Sequence, residues 1–257
     1  MLKRFDDWLA RTAEWRDRYD PALDRPASET VDPYTFVAEL ARQLAPADVI
    51  VSDCGGNTVI VHQAFQTKVG QRLFSSHGNS PMGFALAGAI GAAFAPGVHQ
   101  VICLIGDGGL QLNIQELQTI RQYKLPIKVF VFDNQSYGII KAYQDTNLGG
   151  RHTGSGPDGY GVPDLIRICH AYKVKAGPIG REHMAAEIAF ILGRPGPLVG
   201  VVNMAGQYHY EPRIFGWQTP IEDMYPYLPR DEFRANMLIE PLDGWETPAM
   251  PGGKGHA

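Results

Sequence analysis

The sequence predicts an α/β protein whose mainly parallel sheet is doubly wound, with helices on both faces. Two observations lead to this prediction. Short apolar runs rich in β-branched residues, such as 101–105 and 127–132, alternate along the chain with segments of helical periodicity. A glycine-rich turn directly follows the run at 101–105, and a helix pattern follows the turn. We therefore expect ligands to bind at the carboxyl ends of the strands.

Length and composition are those of a globular protein with one substantial core. The 257 residues are 44% hydrophobic and 19% charged, and the formal net charge is −4. This charge does not favour nucleic acid as a partner, and no apolar run is long enough to span a membrane. Cys54, Cys103 and Cys169 have no metal-binding spacing. Because the amino-terminal segment also lacks a secretory pattern, we expect a cytoplasmic protein with reduced thiols.

The first half of the chain shows the alternating order of this fold. Leu2, Phe5, Leu9 and Ala13 recur at helical spacing, which predicts an amphipathic helix over 2–19. A linker rich in proline and aspartate follows, and a proline suited to the first turn opens the next helix. The small residues of 82–94 allow close packing of a helix on its neighbours or on a ligand. The predicted strands are 48–52, 72–76 and 101–105, and the helices are 2–19, 33–44, 57–67 and 82–94.

The second half repeats this alternation and then loses it. A helix pattern passes through Glu116 and Leu117, and a glycine-dense loop at 146–162 predicts a mobile cover over the site. After residue 204, aromatic residues and prolines are frequent but the periodicity is weak. The predicted strands are 127–132, 173–176 and 198–203, and the further helices are 138–144, 163–172 and 182–192.

Gly106-Asp107-Gly108 and the later Asn134 carry most of the functional information. The predicted βαβ unit places Asp107 and Asn134 at the carboxyl ends of two parallel strands. Carboxylate and amide oxygens suit Mg²⁺, and the glycines let backbone N–H groups approach a phosphate at a helix N-terminus. Gly-Asp-Gly alone is common in tight turns, so this segment by itself does not indicate a ligand site. The distant Asn134 at a second strand end favours a metal and diphosphate site. The dinucleotide fingerprint fails, because Gln111 stands where its third glycine is required.

From Ser28 to about Leu228, the chain resembles the carboxyl-terminal, diphosphate-binding part of acetolactate synthase-like enzymes, which depend on thiamine diphosphate. The matching segments are SDCGGNT (52–58), SPMGFALAGAIGAAFA (80–95), GDGGLQLNIQELQT (106–119), FDNQSYGII (132–140) and TPIEDMYPYLP (219–229). The resemblance implies the thiamine diphosphate-binding fold for the central domain, and together with the composition of the flanking segments it divides the chain into three regions. These are an N-terminal helix and linker arm (1–30), the domain that binds diphosphate and Mg²⁺ (31–204), and a wrapping segment with a disordered tail (205–257).

The resemblance also implies a set of contacts with the metal and the diphosphate. Asp107, Asn134 and the backbone carbonyl of Ser136 would ligate Mg²⁺. The amides of Gly108 and Gly109 would bind the diphosphate. Further cofactor contacts are implied at Gly56, Asn57, Thr58, Gly106, Tyr137, Gly138 and Ile139.

Two more matching positions concern the rings of the cofactor. Met82 stands where the family has a bulky residue that wedges between the two rings, although outside this context it reads as a core methionine. The Ser80 carbonyl would accept a hydrogen bond from the aminopyrimidine. A cofactor bent in this way brings its own amino group close to its reactive carbon.

Several positions depart from the family pattern. Gly56 and Asn57 replace a usual Gln-His pair, so the phosphate contacts must differ. Ile140 stands where pyruvate decarboxylases have an acid, and Ile139 and Tyr143 stand where acetolactate synthases have Met and Trp. We therefore expect Ile139 and Tyr143 to belong to a substrate pocket unlike that of acetolactate synthases.

Candidate proton-transfer residues are His77 and His152, since both fall in loops expected at the mouth of the cofactor site. The alternative for each is a solvated loop histidine. Glu116 does not qualify as a cofactor-activating glutamate, because it lies roughly two turns into the helix that follows the diphosphate turn.

The family implies a partner. Its activating glutamate lies on a separate pyrimidine-binding domain, and about thirty residues precede the resemblance here, which we expect to be too few for such a domain. We therefore expect this chain to pair with a pyrimidine-binding subunit in an α2β2 hetero-oligomer.

The leading function is the decarboxylation of a 2-oxo acid with carboligation, in a split enzyme that uses thiamine diphosphate and Mg²⁺. One alternative is a split 2-oxo acid decarboxylase similar to sulfopyruvate or phosphonopyruvate decarboxylases. Another is a non-catalytic module that retains the fold and the cofactor. We favour an enzyme, because a decayed site has no need of Asp107, Asn134 and Met82 together.

Overall fold

The computed structural model describes residues 5–214 and 220–248. Its strands are β1 (Val49–Ser52), β2 (Arg72–Phe74), β3 (Val101–Gly106), β4 (Ile127–Asp133), β5 (Lys175–Ile179) and β6 (Leu198–Asn203). They form one sheet in the order β2-β1-β3-β4-β6-β5, and each neighbouring pair runs parallel. The predicted α/β fold with a doubly wound parallel sheet is therefore confirmed.

The described helices alternate with these strands and extend beyond them at both ends of the chain. They are α1 (Asp6–Arg18), α2 (Pro33–Gln43), α3 (Gly56–Ala64), α4 (Phe84–Ala93), α5 (Asp107–Leu112), α6 (Glu116–Gln122), α7 (Gly138–Asn147), α8 (Leu165–Ala171), α9 (Met184–Leu192) and α10 (Arg230–Asn236).

The sheet separates two hydrophobic cores. Helices α2, α3 and α9 contribute to one core, and α4, α6 and α8 contribute to the other. Because side chains alternate across a strand, β3 sends Ile102 and Leu104 into the first core and Cys103 and Ile105 into the second. All four are fully buried, as expected for a central strand of a parallel sheet with helices on both faces.

Several element boundaries differ from the sequence-based expectation. The helix after Gly-Asp-Gly is two short helices, α5 and α6, and β5 begins at Lys175 instead of Lys173. The amphipathic helix expected at 2–19 is present as α1, but its residues are not buried in the core. It packs instead on α10, where the Trp15 indole donates to Asn236 Oδ1 at 2.8 Å.

Helix α10 itself was not predicted, because its seven residues include four charged ones and give no apolar period. The disordered tail that the sequence predicts falls almost wholly on 249–257, outside the described residues. No helix in 5–214 or 220–248 combines the length and the apolar character needed to cross a membrane.

The second half of the loop at 146–162, predicted as a mobile cover, is packed and hydrogen-bonded in the structure. Ser155 is completely buried and its hydroxyl donates to Gln144 Oε1 at 2.6 Å. The Ser155 carbonyl accepts a hydrogen bond from the Tyr137 amide at 3.1 Å. The loop is therefore fastened to α7 and to the turn that precedes it.

Candidate functional site

A cavity of about 450 Å³ lies at the carboxyl ends of β1, β3 and β4. Its walls are the turns that follow these strands, the turn before α4 and the chain that follows β6. This is the edge at which parallel α/β sheets place their ligand sites. The predicted cofactor contacts that line it are Gly56, Asn57, Ser80, Met82, Gly106, Asp107, Gly108, Gly109, Asn134, Ser136, Tyr137, Gly138 and Ile139.

The pairing of β3 with β4 brings Asp107 and Asn134 to one edge of the sheet. Gly106, the last residue of β3, is in register with Phe132 near the end of β4. Asp107 follows β3 directly and Asn134 follows β4 directly. Since both strands run in the same direction, the carboxylate and the carboxamide enter the same cavity.

The Asp107 carboxylate is buried and is held by three hydrogen-bond donors. Its Oδ1 accepts from the Gly108 amide at 2.6 Å and from the Tyr160 hydroxyl at 2.8 Å. Its Oδ2 accepts from the Gln135 amide at 2.8 Å. Burial raises the pKa of Asp107 to about 6, although the three donors act against this rise, and the nearby acid Asp133 adds to it. A cation bound to this buried carboxylate would favour its charged form.

The Asn134 carboxamide is oriented from both sides. Its Nδ2 donates to the Gln207 carbonyl at 3.1 Å, and its Oδ1 accepts from the Ser136 amide at 3.3 Å. A Cβ on Gly138 would lie 2.6 Å from Asn134 Nδ2. Only glycine at that position leaves room for the carboxamide.

Two glycines at the start of α5 allow close approach to the cavity. A Cβ on Gly108 would lie 2.6 Å from the Tyr137 ring and 3.1 Å from Met82 Cε. A Cβ on Gly109 would lie 2.2 Å from Asp53 Oδ2. The Gly108 amide donates to Asp107 Oδ1, whereas no side chain among the described residues binds the Gly109 amide, which retains the capacity to bind an anionic group.

Unpaired buried polar atoms also face this region. Asn57, at the start of α3, is 7% exposed, and neither its Oδ1 nor its Nδ2 has a partner among the described residues. The Ser136 hydroxyl is buried and unpaired in the same sense. A buried amide without partners costs free energy unless a ligand supplies them. The donors of Asn57 and α5 beside the acceptors of Asp107 and Asn134 fit a diphosphate with a divalent cation.

The cavity wall includes an acid that the sequence patterns did not identify. Asp53 follows β1 and is 1% exposed. Its Oδ2 accepts from the Gly83 amide at 3.1 Å, and its Oδ1 accepts from the Ala85 amide at 2.9 Å. Burial raises the pKa of Asp53, while these amides act to lower it. Asp53 thus fixes the start of α4 and the turn that carries Met82 and Ser80.

Other contributors were also missed, because no periodic pattern surrounds them. Gln207 and Tyr208 reach the cavity from the chain after β6, and Tyr160 reaches Asp107 from the glycine-rich loop. Cys54 and Ile140 also belong to the lining, next to residues that had been identified. Asp53 could have been identified from the sequence, because it is an acid that directly follows a buried strand. The contacts of Gln207, Tyr208 and Tyr160 could not, because they depend on how the loops run in three dimensions.

Some candidates are not brought to the cavity. His77 is exposed, and its ring contacts that of His62 at 4.6 Å between centroids. His152 is bonded through Nε2 to Asp145 Oδ1 at 2.6 Å. Tyr143 is 45% exposed on α7, outside the lining that includes Ile139.

Thr58 also turns away from the cavity. Its hydroxyl lies 2.8 Å from that of Ser52 and donates to the Asp53 carbonyl at 3.0 Å. It therefore braces the turn after β1, while its neighbour Asn57 lines the cavity.

Comparisons with known proteins point to the same kind of site. The family profile described as "Thiamine pyrophosphate enzyme, C-terminal TPP binding domain" matches residues 53–202. The acetolactate synthase large subunit of Pyropia yezoensis is 32% identical over 193 residues, which are 75% of this chain and 32% of that protein. The acetolactate synthase isozyme 3 large subunit of Escherichia coli is 33% identical over 171 residues, which are 66% and 29%.

A solved structure shows the same fold. The thiamine diphosphate-dependent 4-hydroxybenzoylformate decarboxylase of Rhodococcus jostii RHA1 superposes with a TM-score of 0.62 at 22% identity. The match covers 70% of this chain and 34% of that one. The chain spans about a third of the length of the curated relatives described above.

Proposed function

Because this chain belongs to the thiamine pyrophosphate enzyme family, through the C-terminal domain that binds this cofactor, we propose that its cavity holds thiamine diphosphate together with Mg²⁺. Thiamine diphosphate and thiamine pyrophosphate are the same compound. The observation that carries the proposal is the meeting of Asp107 and Asn134 at two adjacent strand ends, beside the start of α5.

Each wall of the cavity has a part in this proposal. The Asp107 carboxylate, the Asn134 Oδ1 and the Ser136 carbonyl hold Mg²⁺, which needs only one or two carboxylates beside other oxygens. The Gly109 amide binds diphosphate oxygens and the unpaired Asn57 amide adds a donor, whereas the Gly108 amide stays on Asp107 Oδ1.

The apolar part of the cavity orients the rest of the cofactor. Met82, which lies within reach of Gly108, would contact the rings of the cofactor, and the Ser80 carbonyl would accept a hydrogen bond from its aminopyrimidine. When bound, thiamine diphosphate supplies the electron sink that decarboxylation of a 2-oxo acid requires. Ile139, Ile140 and Tyr208 exclude water from the space beside it.

We propose decarboxylation with carboligation as the reaction, because the relatives named above are acetolactate synthase large subunits. The substrate is a small 2-oxo acid. The three free cysteines, Cys54, Cys103 and Cys169, support a reducing compartment, and we place the protein in the cytoplasm.

A partner chain completes the site in this proposal. The acids that line the described cavity are Asp53 and Asp107, and both oxygens of Asp53 are used by backbone amides. We therefore assign the activating glutamate to a pyrimidine-binding subunit, in an α2β2 hetero-oligomer. Ile140 and Tyr143, which are 50% and 45% exposed on α7, offer apolar surface beside the cavity for such a subunit.

Calorimetry tests the cofactor site. We expect Asp107→Ala and Asn134→Ala to weaken Mg²⁺-dependent binding of thiamine diphosphate by about tenfold or more, because loss of even an outer-shell partner of a metal ligand costs about that much. Asp243→Ala, which removes an exposed acid, is the matched control and should bind like the wild type. Unchanged binding in both site variants would show that the metal site is wrongly assigned.

Co-expression tests the reaction. With a pyrimidine-binding partner and a 2-oxo acid, we expect turnover that needs both thiamine diphosphate and Mg²⁺. Products formed with and without a second carbonyl compound distinguish carboligation from simple decarboxylation. Cofactor binding without turnover in any such complex would favour a non-catalytic module.

A further inference from the structure

The loop between α7 and α8 returns one residue to the candidate cation site. Tyr160 is 8% exposed, and its hydroxyl donates to Asp107 Oδ1 at 2.8 Å. The same hydroxyl oxygen accepts from Gln111 Nε2 at 3.2 Å. The Tyr160 hydroxyl therefore donates one hydrogen bond and accepts another, both next to Asp107.

The position of Tyr160 is fixed by the segment that follows β4. Its ring packs on that of Tyr137 with 4.0 Å between centroids. The Tyr137 amide in turn donates to the Ser155 carbonyl at 3.1 Å, and the Tyr160 amide donates to the Gly156 carbonyl at 2.7 Å. The hydroxyl is therefore delivered to Asp107 by a loop that is anchored at several points.

The two carboxylate oxygens of Asp107 accept unequal numbers of hydrogen bonds. Oδ1 accepts from the Tyr160 hydroxyl and from the Gly108 amide, whereas Oδ2 accepts from the Gln135 amide. Each carboxylate oxygen has about two lone-pair positions. The described donors thus use both positions on Oδ1 and one of the two on Oδ2.

We infer that Tyr160 is a positioning residue that restricts Asp107 to binding a divalent cation through Oδ2 alone, and that it thereby favours Mg²⁺ over Ca²⁺. This inference rests on the proposed function of the cavity as a Mg²⁺ site. Mg²⁺ requires near-octahedral coordination by single oxygens, whereas Ca²⁺ accepts more ligands and both oxygens of one carboxylate. A carboxylate with one oxygen already occupied suits the smaller ion.

The test compares the affinities of the two cations in Tyr160→Phe, which removes only the hydroxyl. Binding of Mg²⁺ and of Ca²⁺ is measured by calorimetry with thiamine diphosphate present. We expect the affinity for Mg²⁺ to fall and the ratio of Ca²⁺ to Mg²⁺ affinity to rise by about tenfold, the scale of changes in outer-shell partners. Tyr123→Phe makes the same change on an exposed ring and should leave both affinities as they are.

An unchanged ratio in Tyr160→Phe overturns the inference. Circular dichroism melting shows whether the variant is folded. If Tyr160→Phe is not folded, the test uses Gln111→Leu, which removes the hydrogen bond that Gln111 donates to the Tyr160 hydroxyl. This variant should raise the ratio of Ca²⁺ to Mg²⁺ affinity by a smaller amount, and an unchanged ratio in it would also overturn the inference. If Asp107→Ala keeps its full affinity for the cations, the metal site itself is wrongly assigned. If Asp107→Ala loses this affinity but the ratio of Ca²⁺ to Mg²⁺ affinity is unchanged in Tyr160→Phe, only the role of Tyr160 is wrong.

Discussion

The carboxylate of Asp53 occupies the space in which a side chain at position 109 would begin: a Cβ on Gly109 would lie 2.2 Å from Asp53 Oδ2. The amides of Gly83 and Ala85 hold the carboxylate in that place. The turn after β1, the start of α4 and the start of α5 therefore meet at one point. This junction supports one wall of the cavity.

Gly109→Ala should destabilise the protein by about 2 kcal/mol, because the added methyl group displaces a carboxylate that two amides hold. Urea denaturation measures the change in the free energy of unfolding. Gly91→Ala is the control: it lies in α4 with no atom within 4 Å of the added Cβ, and it should stabilise by about 0.5–1 kcal/mol. Equal effects in the two variants would contradict the contact with Asp53.

Asp53→Asn should destabilise by about 1–3 kcal/mol, because an amide group in place of one oxygen leaves a buried backbone N–H without an acceptor. The matched control is Asp164→Asn. Asp164 caps α8 by accepting from the Arg167 amide at 3.0 Å, and asparagine caps equally well. Thermal unfolding of both variants measures the difference, and a wild-type melting temperature for Asp53→Asn would refute it.

Gly138→Ala should weaken cation binding by about tenfold although it replaces no metal ligand. The new Cβ would lie 2.6 Å from Asn134 Nδ2 and 3.1 Å from Tyr208 Cβ, so the carboxamide must move. Calorimetry with Mg²⁺ and thiamine diphosphate measures the affinity, again with Gly91→Ala as control. A variant that is folded and binds normally would show that the orientation of Asn134 is not needed.

Lys128 gives a prediction about pH. It is 2% exposed in β4, and its ammonium donates to the carbonyls of Arg194 and Gly196. Burial lowers the pKa of Lys128 from 10.5 to about 8. Between these two values the unfolded chain binds more protons than the folded protein, so the free energy of unfolding should increase as the pH rises through this window.

Urea denaturation of the wild type and of Lys128→Met, at several pH values in that window, isolates the contribution of this lysine. The wild type should gain stability relative to the variant by at most about 3 kcal/mol. A difference that stays constant with pH would show that the two carbonyls fully compensate the buried charge.

The sequence was sufficient for the parts of the fold that have a regular period. The positions of Asp107 and Asn134 could be predicted from the buried strands that precede them, because a residue that directly follows a strand in a parallel sheet lies at the carboxyl edge. The same reasoning was available for Asp53. It was not available for Tyr160, whose loop has no period, or for Gln207 and Tyr208, which lie four and five residues beyond the end of β6 in a segment without a period.

The failures have similar physical causes. Helical spacing of apolar residues shows that α1 has an apolar face but does not show what the face contacts, and here it packs beside α10. His152 lies near the site in sequence terms, yet Asp145 on α7 provides a closer partner. Side-chain hydrogen bonds between loops depend on three-dimensional paths that no periodic pattern encodes.

The parallel sheet has a consequence for how the chain folds. Neighbouring strands join residues far apart in sequence, such as Val49 with Val101 and Lys128 with Leu198. To form each pairing, the chain must first close a long loop. This closure costs chain entropy before the contacts between the strands can compensate for it. We therefore expect slow refolding in which the central strands remain exposed for a time, a state in which chains of this kind aggregate at high concentration.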